Sequence, residues 1–223
     1  LANCYYDGEI VGMDKEKAVE LYQQAADKGH LDAIFSLANS YYDGEGVGLN
    51  KEKAVELYQQ AAARGHVDAA FSLAVCYYDG EGVGVDKEKA VELYQQAADM
   101  EDVDAIFSLA NCYYDGEIVG MDKEKAVELY QQAADKGHLD AIFSLANSYY
   151  DGEGVGLNKE KAVELYQQAA ARGHVDAAFS LAVCYYDGEG VGVDKEKAVE
   201  LYQQAADMED VDAIFSLANC YYD

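Results

Sequence analysis

Residues 36–71 read SLANSYYDGEGVGLNKEKAVELYQQAAARGHVDAAF, and the rest of the chain repeats this segment. Variants of it start at Ser72 and Ser108 and differ at only a few positions. A shift of 108 residues also superimposes 1–115 on 109–223 without a mismatch. Such a fixed period is typical of proteins built by stacking similar structural units.

The repetition covers the whole chain, so we expect one continuous array over residues 1–223. It comprises six 36-residue units and a remnant of seven residues, with identical blocks at 1–108 and 109–216. Natural repeats drift, because most surface positions tolerate substitution at little cost in stability. Two blocks without a single difference indicate either a very recent duplication or a constructed gene, and we favour a constructed, consensus-like sequence.

Each unit contains two segments with the apolar periodicity of an α-helix. The first, DAIFSLANSYY at 32–42, places its apolar residues on one broad face. The second, NKEKAVELYQQAAAR at 50–64, has a wider apolar sector, as expected for a helix that packs on two sides. The connections between units are short, so consecutive helices must be antiparallel neighbours. The sequence predicts an all-α fold, an α-solenoid of antiparallel helix pairs.

Residues that begin and end helices stand at the matching places. Asp14, Asn50 and Asp86 are predicted N-caps, whose side chains accept hydrogen bonds from backbone N–H groups. Gly29 and Gly65 are predicted to follow the second helices in the left-handed conformation.

The repeated motif resembles the Sel1-like repeat over the whole chain. Its pattern A-x-x-x-L-A-x-x-Y-x-D-G-x-G-V-x-x-[DN]-x-x-K-A-x-x-x-Y-x-x-A-A-x-x-G is supplied by Ala33, Leu37, Ala38, Tyr41, Gly44, Gly46, Val47, Asn50, Lys53, Ala54, Tyr58, Ala61, Ala62 and Gly65. The resemblance implies a right-handed superhelix of helix pairs, with the first helices lining a concave groove. It also implies that the protein is an adaptor in protein–protein complexes and has no catalytic activity.

Two departures from the pattern lie at helix junctions. Ile10 and Ile118 replace the second loop glycine, so either the loop differs there or that glycine is not obligatory. In the third unit, Met100 to Asp102 replaces Lys-Gly-His, which removes the glycine and offers Asp102 as an N-cap. We expect both departures to change the stacking of units rather than to create a site.

The cysteines and histidines do not form a metal-binding pattern. The cysteines share one repeat position, and the histidines share the turn between units. Zinc sites need ligands spaced by two to four residues, which these sequences lack. We expect the cysteines to be unpaired packing residues and the histidines to serve in turns or as caps. Unpaired thiols and the lack of a signal-peptide pattern predict a cytoplasmic protein or a recombinant product. The residues concerned are Cys4, Cys76, Cys112, Cys184 and Cys220, with His30, His66, His138 and His174.

Other candidate sites have simpler structural explanations. The acidic, glycine-rich loop 79–86 lacks the ligand spacing of an EF-hand calcium site, so its glycines are assigned to backbone turns. The paired tyrosines are assigned to packing within and between units, because a tyrosine can bury its ring and leave its hydroxyl in water. We predict no cofactor and no catalytic group.

The formal net charge of −27 limits the partners. Nucleic acid and anionic membranes are disfavoured, because binding to either depends on Lys and Arg. A basic partner is favoured. The net negative charge is largest in the repeat that contains Met100 to Asp102.

The polar face of the first helices is the remaining candidate site. Its alternatives are a solvated face and a groove that hydrogen-bonds the backbone of an extended peptide. The predicted groove-lining residues are Asp32, Ser36, Asn39, Asp68, Ser72, Val75, Asp104, Ser108, Asn111, Asp140, Ser144, Asn147, Asp176, Ser180 and Val183.

Three functions are weighed. The first is an engineered or consensus-like structural scaffold with no catalysis and no evolved ligand. The second is an adaptor that binds an extended, basic peptide in the concave groove. The third, an enzyme, has no support in an array of equivalent copies. The chain begins and ends within a first helix, at the repeated LANCYYD, so we also expect end-to-end self-association.

Overall fold

The computed structural model describes residues 14–222, and all regular secondary structure in that range is α-helical. The sequence placed the first helix of a unit at 32–42 and the second at 50–64, within two residues of the observed ends. Cys4, Ile10 and the first LANCYYD lie outside the described residues. The helices are α1 (Lys15–Ala26), α2 (Leu31–Asp43), α3 (Lys51–Ala62), α4 (Val67–Asp79), α5 (Lys87–Asp99), α6 (Val103–Asp115), α7 (Lys123–Asp135), α8 (Leu139–Asp151), α9 (Lys159–Ala170), α10 (Val175–Asp187), α11 (Lys195–Ala206) and α12 (Val211–Tyr222).

The helices fall into two compact units, residues 14–105 and 106–222. The even-numbered helices are the first helices of the repeats, and the odd-numbered helices are the second. Within the units, α2 packs against α3, α4 against α5, α8 against α9 and α10 against α11. Second helices also contact the first helix that follows, as α3 contacts α4 and α9 contacts α10. Each of the two compact units is therefore a solenoid of helix pairs. A single continuous array over 1–223 stays a prediction.

The core of each pair consists of small and branched apolar side chains. Ile34 and Leu37 of α2 are almost fully buried, and α3 contributes Ala54, Leu57 and Tyr58. Burying a side chain such as Leu37 stabilises the fold by about 1.5–3 kcal/mol. Helices of 12 and 13 residues are marginal in isolation, so this packing is what holds them.

The cysteine position lies in this core. Cys76, Cys112 and Cys184 are buried free thiols, and Cys220 is half-buried. At the equivalent position, Ser40 is fully buried and its hydroxyl donates a hydrogen bond to the carbonyl of Ser36, at 3.0 Å. The position therefore accepts a small side chain of either kind, as the sequence predicted for packing residues.

The predicted helix ends are confirmed. The side chains of Asp14, Asn50 and Asp86 each accept a hydrogen bond from the backbone N–H three residues later. Gly29 and Gly65 take φ values of 82° and 88°. The N-cap recurs at the start of every described second helix and the glycine follows four of them, so the ends of these helices are fixed by local interactions.

One loop glycine is required by close packing between repeats. Gly46 has a φ of 71°, and a Cβ built on it would lie 2.2 Å from the carbonyl oxygen of Lys15. The loop of one repeat therefore lies directly on the first turn of the preceding second helix. Gly82 approaches Lys51 in the same way, at 2.3 Å.

The two departures from the motif have structural consequences. In the loop that carries Ile118, Gly116 and Gly120 take the positive φ values of 69° and 78°, and Ile118 does not. Of the two alternatives, the loop therefore differs. At the other departure, Glu101 adopts a φ of 68° in place of a glycine, and Asp102 accepts a hydrogen bond from the N–H of Ala105 at 2.7 Å. The predicted N-cap is confirmed.

Candidate functional site

The predicted groove residues occupy one side of the first helices, which we call the first-helix surface. It is formed by Asp32, Ser36 and Asn39 of α2 and by their equivalents on the other first helices. The aspartates of this surface are exposed, whereas its serines and its asparagines or valines are half-buried, apart from the exposed Asn219. The aspartates are therefore the outer row of the surface, and the two inner rows are partly covered by the protein.

The asparagine row is bonded to tyrosines of the second helices. The hydroxyl of Tyr58 donates to Oδ1 of Asn39 at 2.6 Å, and Tyr130 does the same to Asn111 at 2.7 Å. Burial raises the pKa of Tyr58, and a hydrogen bond with Ser72 of the next repeat opposes this only in part. Each of these tyrosines thus contacts the asparagine of one first helix and the serine of the next first helix.

The valine positions change this surface. Val183 takes the place of the asparagine, and with Ser180 it lines an open pocket of about 230 Å³. Three aromatic side chains, Tyr150, Tyr166 and Phe179, complete the lining. The pocket thus lies among α8, α9 and α10, and it includes two of the predicted groove residues.

A smaller pocket occurs one repeat later. It has a volume of about 160 Å³ and is lined by Tyr186, Tyr202, Ser216, Asn219 and Cys220. Its tyrosines and serine are the equivalents of those in the first pocket, but an asparagine replaces the valine. Two successive repeats therefore form a pocket at equivalent positions, and the second is lined by Asn219 and Cys220 where the first is lined by Val183 and Phe179.

Tyr42, Tyr114 and Tyr150, near the ends of three first helices, are each held by a charged pair of lysine and glutamate. The hydroxyl of Tyr150 donates to the carboxylate of Glu189, and Lys159 lies 2.8 Å from the same carboxylate. The Lys159 ammonium also lies over the Tyr150 ring, 4.6 Å from its centroid. Sequence reasoning missed this arrangement, although Tyr, Lys and Glu keep constant spacing in the repeats that share the double-glycine loop.

The histidines combine capping with contacts to the preceding repeat. Nδ1 of His66 accepts a hydrogen bond from the N–H of Ala69 at 3.2 Å, which confirms the predicted capping role. Its ring packs on Phe35, with centroids 4.7 Å apart, and its Nε2 lies 3.5 Å from Asp32. The aspartate row is therefore next to the helix start of the following repeat.

The chemistry of these groups favours binding over reaction. Burial raises the pKa of Cys76 and of Cys184 to about 11, which keeps both thiols protonated and unreactive. Among residues 14–222, no group of three His, Cys, Asp or Glu side chains could hold a metal ion. No helix in the part of the chain that the structure describes is long and apolar enough to cross a membrane.

Stacked helix pairs with a repeated surface define the class of the protein as a helical-repeat scaffold. The Sel1 repeat matches this chain six times, at residues 1–30, 31–66, 67–102, 103–138, 139–174 and 175–210. The chain belongs to the Sel1 repeat family, whose solenoids are a general type of protein-interaction scaffold.

Solved structures show the same fold. One is c5321, a protective antigen present in uropathogenic Escherichia coli strains, at 31% identity and a TM-score of 0.93. That match covers 97% of this chain but 46% of c5321, so the chain spans less than half of that protein. A Sel1 repeat protein from Oxalobacter formigenes matches at 25% identity and a TM-score of 0.90, over 99% of this chain and 86% of its own. No curated protein matches the sequence.

Proposed function

We propose that this protein is a non-catalytic interaction scaffold whose first-helix surface binds an extended, basic peptide segment of a partner. The observation that carries the proposal is the arrangement of this surface in three parallel rows. An exposed aspartate row lies beside half-buried serine and asparagine rows, which supply hydrogen-bonding groups at a regular spacing. With a net charge of −27, the surface complements a cationic chain.

A peptide array tests this function. Its peptides cover basic, neutral and acidic sequences, and binding is measured at low and at high salt. We expect weak binding of basic peptides that falls as salt rises, because the aspartates are exposed and screened. Equal binding of basic and acidic peptides, or no binding at all, would contradict the proposal.

A matched pair of variants locates the binding surface. In the first variant, four aspartates of the first-helix surface become asparagine: Asp32, Asp68, Asp140 and Asp176. In the control, four exposed glutamates in the first turns of second helices become glutamine: Glu52, Glu88, Glu160 and Glu196. Both variants lose four negative charges near helix starts. We expect only the first to weaken binding of a basic peptide severalfold, and an equal loss in both would indicate a nonspecific effect of net charge.

We also propose that the sequence is constructed. The support is the identity of 1–115 with 109–223, since drift changes tolerant surface positions first. A constructed scaffold would have no evolved ligand, so its surface would bind basic peptides with little sequence preference. A peptide of defined sequence that binds tightly and tolerates salt would overturn this, as would synonymous differences between the two gene copies.

A further inference from the structure

We propose that the pocket around Val183 anchors a lysine side chain of the bound peptide. The proposal rests on the peptide-binding function above and adds which side chain is held, and where. The occupant is a basic peptide residue that inserts its aliphatic stem into the pocket and holds its ammonium against the face of an aromatic ring.

The pocket rings are oriented before any ligand arrives. The Tyr166 hydroxyl donates to Oδ1 of Asn147 at 2.6 Å, and the Tyr150 hydroxyl is bound to Glu189. The two ring centroids lie 6.3 Å apart, with the ring planes at 55°. Because both hydroxyls are already engaged, the rings lose little freedom on binding, and the pocket presents aromatic surface.

The apolar floor of the pocket fits a chain of methylene groups. Val183 and Phe179 are apolar, and the serine hydroxyl of Ser180 is the small polar group among them. The pocket one repeat later has Asn219 at the equivalent of Val183 and is smaller, at about 160 Å³ against about 230 Å³. Val183 and Phe179 together therefore give this pocket an apolar wall that the later, smaller pocket lacks.

The charge around the pocket selects a cation rather than a neutral chain. An ammonium group is attracted to the face of an aromatic ring, and Lys159 over Tyr150 shows that this ring already contacts one. The charge of Lys159 is balanced by Glu189, at 2.8 Å. Asp151 follows Tyr150 in the chain, is exposed, and has no ion-pair partner among residues 14–222, so no cation of the protein neutralises its charge.

The same residues occur 108 positions earlier. Tyr42, Tyr58, Phe71, Ser72 and Val75 match the pocket residues one for one. Tyr42 and Tyr58 show the same ring separation, 6.3 Å, and Lys51 lies over Tyr42 at 4.8 Å. We therefore expect a second lysine anchor on the first compact unit.

Fluorine NMR on the full chain tests the anchor at one site. 4-Fluorophenylalanine is placed at position 179 alone, and in a second protein at position 107, where the ring packs on Tyr130 and not on a ring of the pocket. The probe is the peptide acetyl-Gly-Ser-Lys-Ser-Gly-amide, compared with the same peptide carrying norleucine in place of lysine. We expect saturable shifts at 179, little change at 107, and binding about fivefold weaker for the norleucine peptide, which has the stem but no charge.

Variants of the valine test the pocket floor. Val183→Asn should weaken binding of the lysine peptide, followed by the fluorine signal at position 179, by about fivefold. This loss is expected when a polar group replaces an apolar wall. Val183→Thr keeps the shape of the side chain and should give a smaller loss of affinity. It keeps the test valid if the asparagine variant does not fold. Equal binding of the lysine and norleucine peptides would overturn the choice of a cation, and an unchanged affinity in both variants would overturn the site.

The outcome also separates this proposal from the one on which it rests. If basic peptides from the array bind while the fluorine signal at 179 stays unmoved, the anchor is wrong and the peptide-binding function stands. If no basic peptide binds the protein, both are wrong.

Discussion

The hydroxyl of Tyr42 donates a hydrogen bond to the carboxylate of Glu81, which joins the first helix of one repeat to the loop of the next. Lys51 completes the arrangement, since its ammonium lies 2.8 Å from the same carboxylate and over the Tyr42 ring. In the second compact unit, Tyr114 donates to Glu153 at 2.5 Å. These contacts link neighbouring repeats, so they fix how one helix pair is placed on the next.

The glutamates of these contacts should make stability depend on pH on the acid side. Hydrogen bonds from Lys51 and Tyr42 hold the pKa of Glu81 below its usual range, and Glu153 and Glu189 are lowered in the same way. A lowered folded-state pKa means that the stabilisation is present above the unfolded-state pKa of about 4.3 and is lost as pH falls through the folded-state pKa. We therefore expect the triple glutamine variant at these positions to have a lower Tm than the parent near neutral pH. The difference should shrink below about pH 4.

Thermal melts followed by circular dichroism measure this difference. The control replaces three exposed glutamates in first turns, Glu52, Glu124 and Glu160, by glutamine. It loses the same charge without touching the contacts between repeats. If parent and control differ in Tm in the same pH-dependent way, the effect belongs to net charge and not to the tyrosine contacts.

The close approach of each loop to the preceding repeat gives a second prediction. Gly82 has a φ of 70°, and an added Cβ would lie 2.3 Å from the Lys51 carbonyl oxygen. Gly84, two residues on, has nothing within 4 Å of its would-be Cβ. Gly82→Ala should therefore destabilise the protein by more than about 2 kcal/mol, from the left-handed backbone and the clash together. Gly84→Ala should cost less than about 0.5 kcal/mol, so equal losses in denaturant unfolding would contradict the close approach.

The strained junction at Glu209 gives a third prediction. Glu209 has a φ of 67° at the position where other repeats carry glycine, and its neighbour Asp210 caps the next helix at 2.6 Å from the N–H of Ala213. Glu209→Gly should stabilise the protein by about 1 kcal/mol, because glycine adopts this conformation without strain. For a chain of this size, that is a rise in Tm of about 2–4 °C.

Alanine at the same position separates the backbone effect from the charge effect. Glu209→Ala removes the carboxylate but keeps the strain, so its Tm should stay near that of the parent. A rise in Tm as large as that of the glycine variant would show that charge, not backbone conformation, limits stability at this junction.

The period and the capping residues were enough to predict the fold. Asp14 and Gly29 mark the limits of a helix through interactions with the adjacent backbone, so they can be identified without knowing how units stack. The contacts between repeats were not predictable in this way. The sequence places Glu81 in an acidic loop, but periodicity does not say which side chain of the preceding repeat it contacts.

The candidate site was predicted in part for the same reason. The helical wheel placed Asn39 and Ser72 on a polar face, and the structure adds that both contact Tyr58. The substitution of Val183 for asparagine was visible in the sequence, but its consequence was not. A pocket needs the relative positions of three helices, and those follow from side-chain packing.

The buried tyrosines give the last prediction, on the alkaline side. Hydrogen bonding to Glu153 and burial raise the pKa of Tyr114 to about 12, and burial raises that of Tyr202 to about 12. Tyr58, Tyr130 and Tyr166 are shifted upward as well, chiefly by burial. A raised folded-state pKa means that this stabilisation is fully present below the unfolded-state value of about 10 and is lost as pH rises towards 12.

Absorbance of tyrosinate, followed with circular dichroism during a pH titration, measures this. We expect Tyr58, Tyr130 and Tyr166 to ionise only together with loss of helical signal, because their neutral phenols are part of the packed interfaces. The variant Glu153→Gln should let Tyr114 ionise at lower pH, since the carboxylate no longer opposes its charge. If all 20 tyrosines ionised in one step near pH 10 with the helices intact, the tyrosines would not be buried between repeats as described.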